Sequence, residues 1–226
     1  MDTQIGRFVA ELKARGLSDR AAIIISAKHG QSPTDPARLT RIPDGPIIDA
    51  LNAAWTAAGH PGTLVSFAID DDGVLMWLSD RSSTGTGFAA DFLSHFSGTG
   101  NDINGAPNPY TSAGLAKILV GRDAADLIGV PVTDDRVPDV VGISQVGVVY
   151  TGGHGKIAEQ RGDNLADRDV PILVSAPDID RPVMVGRPVH TTQIAPTILA
   201  LLGLNPNELQ AVRSEHTTVL PGLDDH

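Results

Sequence analysis

The hydrophobic positions change period several times along the chain, and each change marks an element. Over residues 2–16, Ile5, Phe8, Val9 and Leu12 recur at helical spacing and Gly16 stands where a C-terminal stop belongs, which predicts an opening amphipathic helix. Residues 21–26 (Ala-Ala-Ile-Ile-Ile-Ser) are apolar without alternation, the pattern of a strand buried on both faces. Pro33, Pro36, Pro43 and Pro46 then predict an irregular crossing, and helical spacing resumes over 47–58. Residues 64–69 and 74–78 flank Asp70-Asp71-Asp72-Gly73 and read as a β-hairpin. Residues 82–87 read as a mobile Ser/Thr/Gly loop, 87–96 and 112–119 as helical, and the Gly/Asn/Pro-rich stretch 98–109 as a long surface loop. Strands are predicted over 137–143, 146–150 and 170–175. A final helix is expected over 191–202, with Pro196 in its first turns and Gly203 as its stop.

Helix, apolar strand and polar loop in succession indicate an α/β protein. At 226 residues with 41% hydrophobic positions, the chain can bury a sizeable core, which excludes intrinsic disorder. A net charge of −10, with 17 dispersed basic residues, disfavours a nucleic-acid scaffold. The absence of cysteine removes thiol nucleophiles, disulfides and Cys-type zinc sites, and leaves the redox compartment open. The apolar runs fall well short of the ~20 residues that span a bilayer. No basic stretch followed by an apolar core opens the chain, so a soluble protein without its own export signal is expected.

Two loops carry candidate chemistry. Lys28, His29 and Gln31 stand at the carboxyl end of the first predicted strand, where open α/β sheets place their sites. A cation and an imidazole there suit an anion or a metal; an ordinary loop histidine beside a solvated lysine is the competing reading. After the strand at 146–150 comes Gly152-Gly153-His154-Gly155, followed by Asp163 and Asp167. Glycines allow backbone N–H groups to approach an anion, and these side chains are O/N metal donors, but a hairpin tip with surface charges has the same composition. His190 precedes the last helix, where Thr191 or Thr192 reads most simply as a cap and His190 as a minor candidate for an anion. His60, His95, His216 and His226 read as surface or tail residues, and Asp70 to Asp72 as a turn.

The order Ala27-Lys28-His29-Gly30-Gln31-Ser32-Pro33, then Asp169-Val170-Pro171-Ile172-Leu173-Val174-Ser175, then Gln193-Ile194-Ala195-Pro196-Thr197-Ile198-Leu199-Ala200-Leu201-Leu202-Gly203-Leu204 resembles the C-terminal half of the alkaline phosphatase superfamily, in its type I phosphodiesterase/nucleotide pyrophosphatase branch. The resemblance implies a partial alkaline-phosphatase-like three-layer α/β sandwich with an inserted α+β lobe. Core segments are then expected at 1–61 and 136–226, with the lobe at 62–135. It also implies a metal-dependent phosphate-ester hydrolase, with a two-metal, usually zinc, centre and a Thr or Ser nucleophile. The nucleophile and the first metal-binding Asp would lie before Met1. No catalytic residue is therefore expected within the chain, which reads as a truncated or split half, or as one with a misassigned start, and with little turnover of its own.

Two positions depart from the family's pattern. Lys28 stands where an Asp ligand is usual, and an ammonium cannot ligate a metal, so Lys28 and Gln31 are expected to meet phosphate while His29 keeps its role as a ligand. The usual downstream His-Gly falls at Gln160-Arg161, and His154, six residues earlier, is the candidate substitute. The expected cofactor is a divalent metal, zinc by the resemblance, and the expected partner a phosphate-ester small molecule. An apolar strand edge at 21–26 would also favour self-association or pairing with a complementing N-terminal half. The competing function is a non-catalytic α/β domain that binds an anion or a protein. Members of the superfamily are often exported, and the compartment of this chain stays open.

Overall fold

The computed structural model describes residues 2–31, 35–70, 73–159, 162–177, 179 and 182–223. Two compact units divide the chain: residues 1–28 with 171–226, and residues 29–170.

The second unit holds the hydrophobic core. Its first sheet has the order β6-β5-β2-β9, built from β2 (Thr40–Ile42), β5 (Gly98–Asn101), β6 (Pro107–Tyr110) and β9 (Val148–Tyr150), numbered after β1 (Ile23–Ser26) of the first unit. β2 runs parallel to β9 and antiparallel to β5. The second sheet, β3 (Val65–Asp70), β4 (Gly73–Leu78), β8 (Val140–Ser144) and β7 (Leu115–Val120) in the order β3-β4-β8-β7, is antiparallel throughout. α2 (Asp44–Ala57) buries Ile47, Leu51 and Trp55, one residue per turn, and α3 (Ser83–His95) buries Ala89 and Leu93. These side chains join Val74, Met76 and Leu78, the inward alternation of β4, with Ile42, Val148 and Tyr150 in one cluster.

The first unit contains α1 (Asp2–Ala14), β1, β10 (Ile172–Ser175), α6 (Ile194–Leu201) and α7 (Gln210–Glu215); α4 (Arg122–Ile128) and α5 (Leu165–Arg168) belong to the second unit. β1 and β10 form an antiparallel pair, with Ile23 opposite Ser175 and Ser26 opposite Ile172. Among the described residues, burial in this unit is confined to a few positions on α6, α7 and the stretch after them, such as Thr197, Val212 and Leu220. α1 buries none of its residues, and Phe8 is 69% exposed.

Several expectations change. The helix expected over 112–119 is a single 3-10 turn at Ser112–Gly114 followed by β7, because Leu115 and the residues after it pair with β8. The long loop expected over 98–109 is the β5/β6 hairpin, in which residues 98–101 pair with 107–110 despite the turn-like composition. β2 interrupts the crossing expected to be irregular, and the stretch at 82–87 opens α3, with the Ser82 hydroxyl accepting from Thr84 N. The strand expected over 21–26 with both faces buried is shorter and only half-buried, since β1 has one partner strand. The turn residues Asp71 and Asp72 lie outside the described residues.

Two carboxyls structure the electrostatics of the second unit. Asp139, 6% exposed, accepts from Leu78 N at 2.8 Å and from Arg81 Nε at 2.8 Å, so one buried charge meets both a backbone donor and a guanidinium. Asp70 lies beside Asp44. Burial first, then the hydrogen bond and repulsion from Asp44, raise it from an ordinary 3.8 to about 6. At Asp70 the folded chain therefore holds more proton than the unfolded chain between about pH 4 and 6, and the stability this group contributes falls as pH rises through that window. Asp70→Asn keeps a hydrogen bond to Asp44 without the charge. It is expected to match the wild type in urea unfolding at about pH 4 and to exceed it at about pH 8.

Candidate functional site

The boundary between the two units falls inside the first candidate loop: Lys28 is the last residue of the first unit's N-terminal stretch, while His29, Gln31 and His154 belong to the second unit. Lys28 and Gln31 are exposed and His29 is half-buried. His29 Nδ1 lies 2.6 Å from the carbonyl of Gly30. A carbonyl only accepts, so Nδ1 carries the proton, which leaves the lone pair of Nε2 as the group His29 presents to a ligand. Backbone hydrogen bonding of one ring nitrogen is also the usual way a metal-binding imidazole is oriented.

Gly30 then joins the two loops that the sequence singled out separately. Its N–H donates to the Asp167 carbonyl at 2.6 Å. A Cβ at this position would run into the Ala166 carbonyl oxygen and come within 2.9 Å of Asp167 Cα, so only glycine lets the strands of chain approach this closely. His29 and Gln31, on either side of Gly30, are thereby fixed against the end of the glycine-rich segment. Asp167 itself is 1% exposed.

The glycine-rich segment is anchored at its start and middle. Thr151 N donates to Ile42 O at 2.8 Å, and Gly153 N to the Thr151 hydroxyl at 3.2 Å. Arg41, on β2 and 2% exposed, donates from Nε to Lys156 O at 2.6 Å and from Nη1 to Asp102 O at 2.8 Å. Lys156 pairs with Glu159, and Arg168 pairs with Asp163 at 3.2 Å. Asn164 Nδ2 donates to Ser144 O at 3.3 Å. His154 sits exposed at the tip of this framework. Gln160 and Arg161, where the resemblance leads one to expect His-Gly, and Ser32 and Pro33 of the first motif lie outside the described residues.

Sequence reasoning missed Arg41. In a proline-rich crossing a lone arginine reads as solvated, and only the pairing of β2 between two strands buries it. Among the described residues, no group of three or more His, Asp or Glu side chains could hold a metal ion. A closed zinc site takes four protein ligands and a catalytic one three. The described residues by themselves therefore do not fit the two-metal centre that the resemblance implies. Among them, no helix is long and apolar enough to cross a membrane.

No protein-family model and no curated protein matches the sequence. Solved structures do match, and they define the class: the chain has part of an alkaline-phosphatase-like mixed α/β fold. It is similar to human ectonucleotide pyrophosphatase/phosphodiesterase 5 over 90% of its own length and 46% of that chain, with a TM-score of 0.58 and 16% identity. Phosphonoacetate hydrolase of Sinorhizobium meliloti 1021, solved with phosphonoacetate and with phosphonoformate, aligns over 78% of this chain and 40% of that one. Its TM-scores are 0.45 and 0.44, at 19% and 18% identity. The chain thus spans less than half the length of these structures. At such identities the likeness is one of fold, and the resemblance read from residues 27–33, 169–175 and 193–204 holds at that level.

Two substitutions test the framework. Gly30→Ala is expected to lower stability by about 1–3 kcal/mol, because the new methyl meets backbone that has no rotamer to escape into. Arg41→Met removes a buried guanidinium and the donor to the Lys156 and Asp102 carbonyls, and is expected to cost about 2–4 kcal/mol in urea unfolding. Hydrogen exchange should accelerate over residues 151–158 in Arg41→Met, whereas α2 should exchange as in the wild type.

Proposed function

We propose that this chain is a domain of a phosphate-ester hydrolase of the phosphodiesterase/nucleotide pyrophosphatase type. In this reading Lys28 and Gln31 contact phosphate oxygens, and His29, through Nε2, and His154 are donors to a divalent ion, zinc by the resemblance. The further donors and the nucleophile come from outside the described residues. The observation that carries the reading is the Gly30–Asp167 contact, which fixes His29 and Gln31 against the glycine-rich segment in a chain with an alkaline-phosphatase-like fold. Lysine suits this role because its ammonium is a compact charge for phosphate. Residues 62–135 are proposed to form a lobe that sets substrate choice.

A second reading, a non-catalytic domain that binds an anion or a protein, is favoured by two observations. The described residues assemble no three-donor metal group, and Lys28 stands where a ligand is usual.

Elemental analysis of the purified chain, paired with hydrolysis of a chromogenic phosphodiester, separates the two. The hydrolase reading expects a divalent metal that wild type retains and His29→Ala loses. Turnover together with that metal would show that the chain suffices for catalysis. Absence of both metal and turnover selects the binding domain, and unchanged metal content in His154→Ala removes His154 from the site.

A further inference from the structure

A cleft of about 440 Å3 opens within the first unit, between the segment that leads into α6 and the end of α7. It brings together two stretches distant in the chain: Arg187, His190 and Thr192 on one side, Glu215, His216 and Thr217 on the other. Its walls are pinned by bonds that need no ligand. Gln193 accepts from His190 N at 2.9 Å and donates from Nε2 to the Thr218 hydroxyl and the Val219 carbonyl, both at 3.1 Å. Thr197, fully buried, donates to Gln193 O at 2.6 Å and accepts from Leu220 N at 2.8 Å. The two sides are therefore held at a fixed spacing, which is the preorganisation that a small-molecule site needs.

His216 adds a second, independent observation. It ends α7 in the left-handed region, at φ 53° and ψ 36°, where glycine is the ordinary occupant. An imidazole that lines the cleft occupies that position at a conformational cost, and backbone strain of this kind collects at functional sites. Among the described residues, the side chains of Arg187, Glu215 and His216 have neither a hydrogen-bond nor an ion-pair partner.

A guanidinium fork with imidazole and hydroxyl donors is the chemistry of oxyanion recognition. The volume lies in the small-molecule range of ~300–1,000 Å3, more than a bare phosphate fills. The one acid, Glu215, is placed to accept from hydroxyl groups on the same ligand. We propose that this cleft binds a phosphate monoester of a small polyhydroxylated molecule, with Arg187 and His216 as the donors to its phosphate. The site uses none of Lys28, His29, Gln31 and His154, so it stands or falls apart from the hydrolase reading.

Isothermal titration of the full chain with ribose 5-phosphate, inorganic phosphate and ribose tests the proposal. Saturable binding of ribose 5-phosphate is expected, weaker binding of phosphate and none of ribose. Arg187→Ala and His216→Gly should each weaken ribose 5-phosphate roughly ten-fold or more. His216→Gly is the informative variant, because glycine favours this backbone conformation: its melting temperature should be unchanged or higher while affinity falls, which a purely structural role for His216 would not produce. Absence of saturable anion binding, or an unchanged affinity in either variant, would overturn the site. Phosphate binding tighter than the ester would overturn the assignment to an ester.

Discussion

A guanidinium taken out of water must find acceptors, and at Arg41 that requirement organises the second unit. The side chain is held on β2, between β5 and β9, and it satisfies itself on carbonyls from two separate loops: Lys156 in the glycine-rich segment and Asp102 in the β5/β6 turn. Because a buried unpaired charge costs several kcal/mol, neither loop can drift without exposing or orphaning it. The glycine-rich segment, whose composition alone implies freedom, is therefore a defined structure with its middle pinned. Its far end is pinned by Gly30, and this brings the two candidate loops into one place.

The two units distribute their stability differently. In the second, two sheets and two helices share a continuous apolar cluster, and the buried Asp139 is met by Arg81 and Leu78 N. Asp70 against Asp44 is a carboxyl pair that favours a retained proton. In the first unit, α1 buries none of its residues, β1 and β10 pair among the described residues only with each other, and Leu173 and Met184 are largely exposed. Side-chain bonding of Thr197 and Gln193 orders the C-terminal part of that unit, and the same bonds build its cleft.

The fold and the chemistry carry different weight. An alkaline-phosphatase-like architecture at 16% identity fixes where strand-end loops can place side chains, and function resides in what those loops carry. Here they carry His29, its Nδ1 bonded to the Gly30 carbonyl, and Gln31, and the described residues assemble no group of three metal donors.

The sequence by itself determined whatever depends on local periodicity and local chemistry. The opening helix, the hairpin around Gly73, the strands near 140 and 148 and the helix after Gln193 all follow from spacing and stop signals within a dozen residues. The phosphatase-like order of motifs was legible for the same reason, since each is a short contiguous run. The tertiary structure decided what depends on partners distant in the chain. Ser112 to Val120 became a strand because β8 offered a ladder, the Gly/Asn/Pro stretch became a hairpin through cross-strand pairing, and Arg41 became buried through its neighbours. Gly30 met Asp167, and His190 and His216 came to line one cleft, only through folding. Burial and proximity are properties of a pair of segments, and a single segment read alone contains only half of each pair.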